Sequence, residues 1–360
     1  MLLHSGEVRP DGVLDASAHA YRSVPIDNHS EPITKHDIWN TRTTAFDRHI
    51  PPGRADLGRF EVPVPSTAKL PITVTATVNY RRFTKNFTDW VNRDTAVGLA
   101  PVTEIVSTTS ELNSTLFAGG NSTASNLLQI LNPEPRTLNP KPYTPLQKWR
   151  AYGVALFDQQ QFEPAANAFQ EGLKLAAKRS PEESALNIDL AMAALRKERV
   201  GSSQETLVLA EQALNRALTL DEKQPRARFF RAILNIKRFR YSEALTDLDA
   251  LSQEFPRDRQ VWTQLGSLYL LQYRDADAKN AYAKVLEIDP DDTEAHMKLT
   301  GLYWRFGMFD AAKHEQKKYN SYHSDNVAET LRRGYLKSHP ELFQTWPWRE
   351  IGDNPIGSQP

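Results

Sequence analysis

Alanine stands at positions 210, 244, 278 and 312, each 34 residues after the last. Ala232, Gly266 and Thr300 keep the same interval, and so do Pro256 and Pro290. A period of this length is that of a helix-turn-helix unit stacked on copies of itself, with small residues where two helices touch. One such unit leaves an apolar face uncovered, so the pattern predicts an array of several hairpins whose stacking buries that face.

The fourth unit carries Trp262, Leu265, Gly266, Tyr269, Ala278, Tyr282 and Pro290, and the first carries Trp149, Gly153, Ala165 and Phe169. On these residues residues 146–338 resemble the tetratricopeptide repeat family. The resemblance implies a right-handed α-solenoid of five hairpins, with Trp149, Gly153, Ala165, Trp262, Gly266, Tyr269, Ala278, Tyr282, Pro290 and Ala312 as structural positions. Two units depart from the pattern. Ala210 follows Ala191 by 19 residues where 12 are expected, so seven extra residues, around VGSSQE, should enlarge the second hairpin's turn. The fifth has Tyr303 and Ala312 but no terminal proline. VAETLRRGYLKSHP, with charges on one side, is expected to form a helix that caps the array.

Proline and glycine fall mainly before residue 146, where the chain reads as β structure. In LPITVTATVNYRRF, Ile72, Val74, Ala76, Val78 and Tyr80 alternate with polar residues, the period of a strand with one buried face. Asp11-Gly12 marks a hairpin turn, and RFEVPVP reads as a proline-broken edge strand. The expected architecture is therefore multidomain: a small β-sandwich-like domain over 1–106, a Ser/Thr/Asn-rich loop and proline-rich linker over 107–145, the all-α array over 146–338, and a tail over 339–360.

Forty-four basic residues balance forty-four acidic ones, so no net field draws the chain to nucleic acid or to a membrane. There is no cysteine, which removes disulfides, thiolate zinc sites, a cysteine nucleophile and covalent c-type haem attachment. No run of apolar residues is long enough to span a bilayer. Phosphate-loop, G-x-S-x-G and H-E-x-x-H patterns are missing, and His314-Glu315 is followed by Lys318 where a zinc helix needs histidine. His4, His19, His29, His36 and His49 crowd the first fifty residues without a spacing that pairs two imidazoles. The expectation is a protein that is not an enzyme, with no catalytic residue, metal or cofactor of its own.

Family likeness then locates a binding face. In tetratricopeptide arrays the first helix of each unit lines a concave groove, and the register places Arg226, Phe229, Ile233 and Lys237 there, with Gln260, Thr263, Ser267 and Leu270, then Met297, Gly301, Trp304 and Arg305. Such a surface suits a peptide or protein segment with apolar anchors and some acid. Where the family's chaperone-tail binders place Lys and Asn, the first unit has Arg150 and Val154, against that subclass. The helix RARFFRAILNIKRFR is basic through Arg226, Arg228, Arg231, Lys237, Arg238 and Arg240. It reads as a draw for an anionic partner, or as paired with acids such as Asp247 and Asp249. Trp346 and Trp348 in TWPWRE either pack on the last repeat or meet a partner.

LLHSGEVRPDG, AYRSVPID, TKHDIWN, DRHIPPGRADLGRFEVPVP and VTATVNYRRF are similar to the β region beside such repeats at the C-terminal end of bacterial multihaem c-type cytochromes. That likeness implies an upstream haem-bearing segment and a periplasmic location, this chain being the haem-less accessory part. Without such a segment the reading is a cytoplasmic scaffold.

Overall fold

The structure is a computed structural model. It describes residues 20–33, 38–47, 71–81, 85–92, 102–112, 144–197, 204–322 and 326–339, with the single positions 8, 13, 14, 18, 50, 56 and 58. The chain divides into two compact units, Met1–Lys148 with Asn326–Pro360, and Trp149–Asp325.

In the first unit, β1 (Ser23–Ile26) pairs antiparallel with β2 (Thr43–Asp47), and β3 (Ile72–Arg81) with β4 (Val102–Leu112). The described strands thus build two two-stranded sheets, and a sandwich is not shown among the described residues. A short helix, α1 (Lys85–Asn92), lies between β3 and β4 and was not expected from the sequence. β4 also runs into the stretch expected to be loop, taking in residues 107–112. The reason is local: its hydroxyls ladder across the sheet, Thr75 to Thr109 at 3.1 Å and Thr77 to Ser107 at 2.9 Å, so Ser and Thr serve as strand residues. β3 forms where its alternation predicts, yet its apolar side stays open, with Val74, Val78 and Tyr80 all exposed. The Asp11-Gly12 turn, RFEVPVP, the linker core and TWPWRE lie outside the described residues.

Seventeen residues per helix distinguish the second hairpin of the array, whose helices are α4 (Pro181–Lys197) and α5 (Gln204–Leu220). The others pair α2 (Pro145–Asp158) with α3 (Phe162–Leu175), α6 (Pro225–Lys237) with α7 (Tyr241–Glu254), α8 (Arg259–Leu271) with α9 (Asp275–Ile288), and α10 (Thr293–Arg305) with α11 (Phe309–Tyr322). Measured from Ala191 and Ala210, about half of the seven extra residues lengthen α4 and α5; the turn proper does not absorb them all. Ala210, Ala244, Ala278 and Ala312 are each fully buried, so the recurring alanine marks one repeated helix contact. The core runs on from the third hairpin to the fifth: Trp262 and Tyr269 pack against both the cluster around Leu248 and Leu265 and the next one around Tyr282 and Leu299.

First helices start on side-chain caps. Asp258 accepts from Gln260 N and Val261 N, Asp292 accepts from Ala295 N, and Gln224 precedes Pro225 while accepting from Arg226 N.

The helix expected to cap the array, α12 (Asn326–Ser338), belongs with the β unit instead. Its Tyr335 is buried with Val24, Ile26 and Ala45, and Leu331 and Leu336 pack beside it. A two-stranded hairpin cannot bury its own apolar side, and α12 supplies the second layer.

Candidate protein-interaction face

The structural positions set how close the helices come. A Cβ on Gly153 would stand 2.4 Å from the Phe169 ring, and one on Gly266 would stand 2.8 Å from the Tyr282 ring. In both hairpins a large ring of the second helix thus lies on bare backbone of the first. Trp149 and Ala165 are buried in the first hairpin, and Tyr282 Oη meets Ser267 Oγ at 3.1 Å in the fourth. Burial pushes the Tyr282 phenol up.

The twelve expected face residues are unequally available. Phe229 and Leu270 are partly buried against the core clusters, Ser267 is engaged by Tyr282, and Thr263 donates to Arg259 O. Ile233 and Lys237 are half-buried, and Arg226 and Gln260 are exposed. α10 differs: Met297, Gly301, Trp304 and Arg305 are all exposed, and nothing lies within 4 Å of where a Cβ on Gly301 would be. Trp304 leans on Phe309 at 5.3 Å between ring centroids, and Arg305 pairs with Asp275 at 3.1 Å.

One polar feature of this face was missed from the sequence. Asp189 on α4 is almost fully buried and receives Arg150 Nε from α2 at 2.7 Å and Arg226 Nη2 from α6 at 3.1 Å. A single carboxylate therefore joins three successive first helices, and both guanidiniums keep an open side. An Asp inside the apolar run IDLAMAAL was the available signal.

The basic helix α6 is a hub of ion pairs. Arg231 grips Asp247 through two hydrogen bonds at 2.8 and 2.7 Å, Arg228 reaches Glu254 at 3.1 Å, and Arg238 and Arg240 share Glu211. Asp247 takes the part expected of it, whereas Asp249 turns to Tyr269, at 3.5 Å.

His296 is the one buried imidazole described in the array. Its Nε2 stands 2.9 Å from Pro290 O, as Trp262 Nε1 stands 3.0 Å from Pro256 O one repeat earlier, and its Nδ1 meets Glu315 Oε2 at 2.5 Å. It replaces a structural tryptophan and ties α11 to α10. Of the five early histidines only His29 is described, and it is an exposed turn residue beside Asp27. No cluster of three or more metal-ligating side chains occurs among the described residues. Much of the segments that resemble the cytochrome-associated region lies outside those residues.

No family model matches the chain, and no curated protein matches it in sequence. Among solved structures it is similar to PilF of Pseudomonas aeruginosa, at 18% identity and a TM-score of 0.44, over 56% of this chain and 92% of that one. It is also similar to MamA from Desulfovibrio magneticus RS-1, at 17% identity and a TM-score of 0.39, over 52% of this chain and 96% of that one. The helical repeat itself rests on the geometry above, a series of two-helix units of which the third, fourth and fifth start 34 residues apart, at Pro225, Arg259 and Thr293.

Proposed function

We propose that the chain is a non-enzymatic interaction scaffold that binds a peptide or protein segment along the first-helix face of its array. The carrying observation is the open lane on α10, where Met297 and Trp304 stay exposed on either side of a glycine with no neighbour above it. Apolar and aromatic side chains left at solvent on a rigid, repeated framework are the usual anchors of a segment-binding face. Arg150 and Arg226, with one carboxylate between them, favour a segment that carries acid. This role calls for no cofactor.

The test uses peptides selected from a displayed random library against the full chain. Gly301→Trp fills the lane without touching the core, so the selected peptides should bind about tenfold or more weakly to it, with helical content unchanged. Peptides that bind both proteins equally would place the working face elsewhere.

A further inference from the structure

The fifth hairpin is closed differently from the others. The second helices α3, α5, α7 and α9 each bury four or more residues, whereas α11 buries one, Ala312. With so little packing, the polar contacts between α11 and α10 carry more of the hold. The buried one joins His296, 4% exposed, to Glu315.

Both ring nitrogens of His296 face acceptors. Nε2 stands 2.9 Å from Pro290 O, which offers only lone pairs, and Nδ1 stands 2.5 Å from Glu315 Oε2. A neutral imidazole carries one N–H, so beside an ionised carboxylate one of these contacts sets lone pair against lone pair, whichever tautomer forms. The geometry closes with a further proton between Nδ1 and Oε2, and either atom that holds it makes the same hydrogen bond. Trp262 meets Pro256 O one repeat earlier through a fixed N–H and needs no such proton.

The groups around the pair are engaged elsewhere. On α11, Tyr322 stacks on the imidazole, and Lys318 is turned to the Tyr322 ring and hydroxyl. On α10, burial and then the Glu315 charge push the Tyr303 phenol up, and Asp292 pairs with Arg259, which also takes Asp289. On α9, Tyr282 meets Ser267 and Lys284 pairs with Glu287. When the proton leaves, the cations at hand are therefore already committed.

We propose that this proton latches the end of the array: while it is held α11 stays on α10, and its loss at higher pH lets α11 open. The closed hairpin holds one proton that the open one gives up, so opening becomes easier as pH rises, by up to about tenfold per unit for a single proton. Because α11 buries only Ala312, its opening uncovers little and leaves the earlier hairpins formed. The device is independent of what the α10 face binds.

The test is hydrogen exchange of the full chain at about pH 5.5 and about pH 8.5, on either side of the range in which imidazole changes charge. Protection factors of α11 amides are compared with those of α8 in the same sample, which also reports that the rest of the array is folded. The ratio of α11 to α8 should fall about tenfold or more between the two conditions. Glu315→Gln should make the ratio the same at both, because its amide donates to Nδ1 while the Nε2 proton serves Pro290 O, and no extra proton is needed. His314→Gln, at the exposed imidazole next to Glu315, should behave as wild type. A wild-type ratio that does not change with pH overturns the proposal. So does a pH dependence that persists in Glu315→Gln, or one that His314→Gln removes.

Discussion

The ring of Tyr282 occupies the space that a Cβ on Gly266 would need, its Cε2 and Cζ standing 2.8 Å from that position. Tyr282 is fully buried and its hydroxyl is held by Ser267, so the ring has nowhere to move. Gly266→Leu should therefore destabilise the array by about 1–3 kcal/mol. Gly301 sits in the next first helix with open space around it, and Gly301→Ala should stabilise by about 0.5–1 kcal/mol through helix propensity alone. Urea melts of the two variants should move in opposite directions. A shift of the same sign for both would mean that the repeat register is wrong.

Asp189 makes the second case. Its carboxylate is nearly inaccessible, while Arg150 and Arg226 are each about half exposed. Asp189→Ala leaves two guanidiniums facing each other, but water can still reach them, so the cost should be about 1–2 kcal/mol, below that of a wholly buried pair. Replacing both arginines by Gln in the Asp189→Ala background should then cost little more. Additive losses in that cycle would show that the three residues do not act as one group.

Glu183 links the array to pH. Its carboxyl is held below the usual value, first by the hydrogen bond from Arg216, then, against the desolvation that raises it, by the Arg179 backbone N–H. An acid depressed in the folded state stabilises the fold above its unfolded pKa, and that contribution is lost as pH falls through the folded value. Glu183→Gln should thus be less stable than wild type at neutral pH, with the gap closing below about pH 4. A gap that is constant with pH would locate the effect in packing instead of charge.

The array was legible because helix contacts in a stacked repeat must recur, and small residues at 210, 244, 278 and 312 announce them. Of the acids that pair with α6, Asp247 was named from the sequence because it lies on the next helix, whereas Asp189 and Glu211 come from helices earlier in the chain and were not. His296 was hidden for a different reason: it takes over the hydrogen bond that Trp262 makes one repeat earlier, and the two side chains look unrelated in a sequence. The positive φ of Phe239 and Tyr273 was invisible because the residue at that point of the turn changes from one hairpin to the next, Phe239, Tyr273 and then Gly307. On the candidate face the register alone named Met297, Gly301 and Trp304, but it also named Phe229 and Leu270, which the core largely claims. Long separation in sequence concealed the pairing of α12 with β1 and β2, whose strands are too short to show which face needs a cover.

That last pairing yields a test that separates two architectures. Tyr335 is the one aromatic ring buried in the small cluster of Val24, Ile26 and Ala45. Tyr335→Ala should cost that unit about 2–4 kcal/mol, since the lost ring leaves a cavity that a two-stranded hairpin cannot close. Hydrogen exchange reads where the loss falls. The amides of Ile33 and Arg42, which donate to Pro25 O and Ile26 O, should exchange faster, while those in the middle of α8 and α9 keep their protection. If α12 instead sealed the end of the array, α11 would lose protection first and the β1–β2 amides would stay as they were.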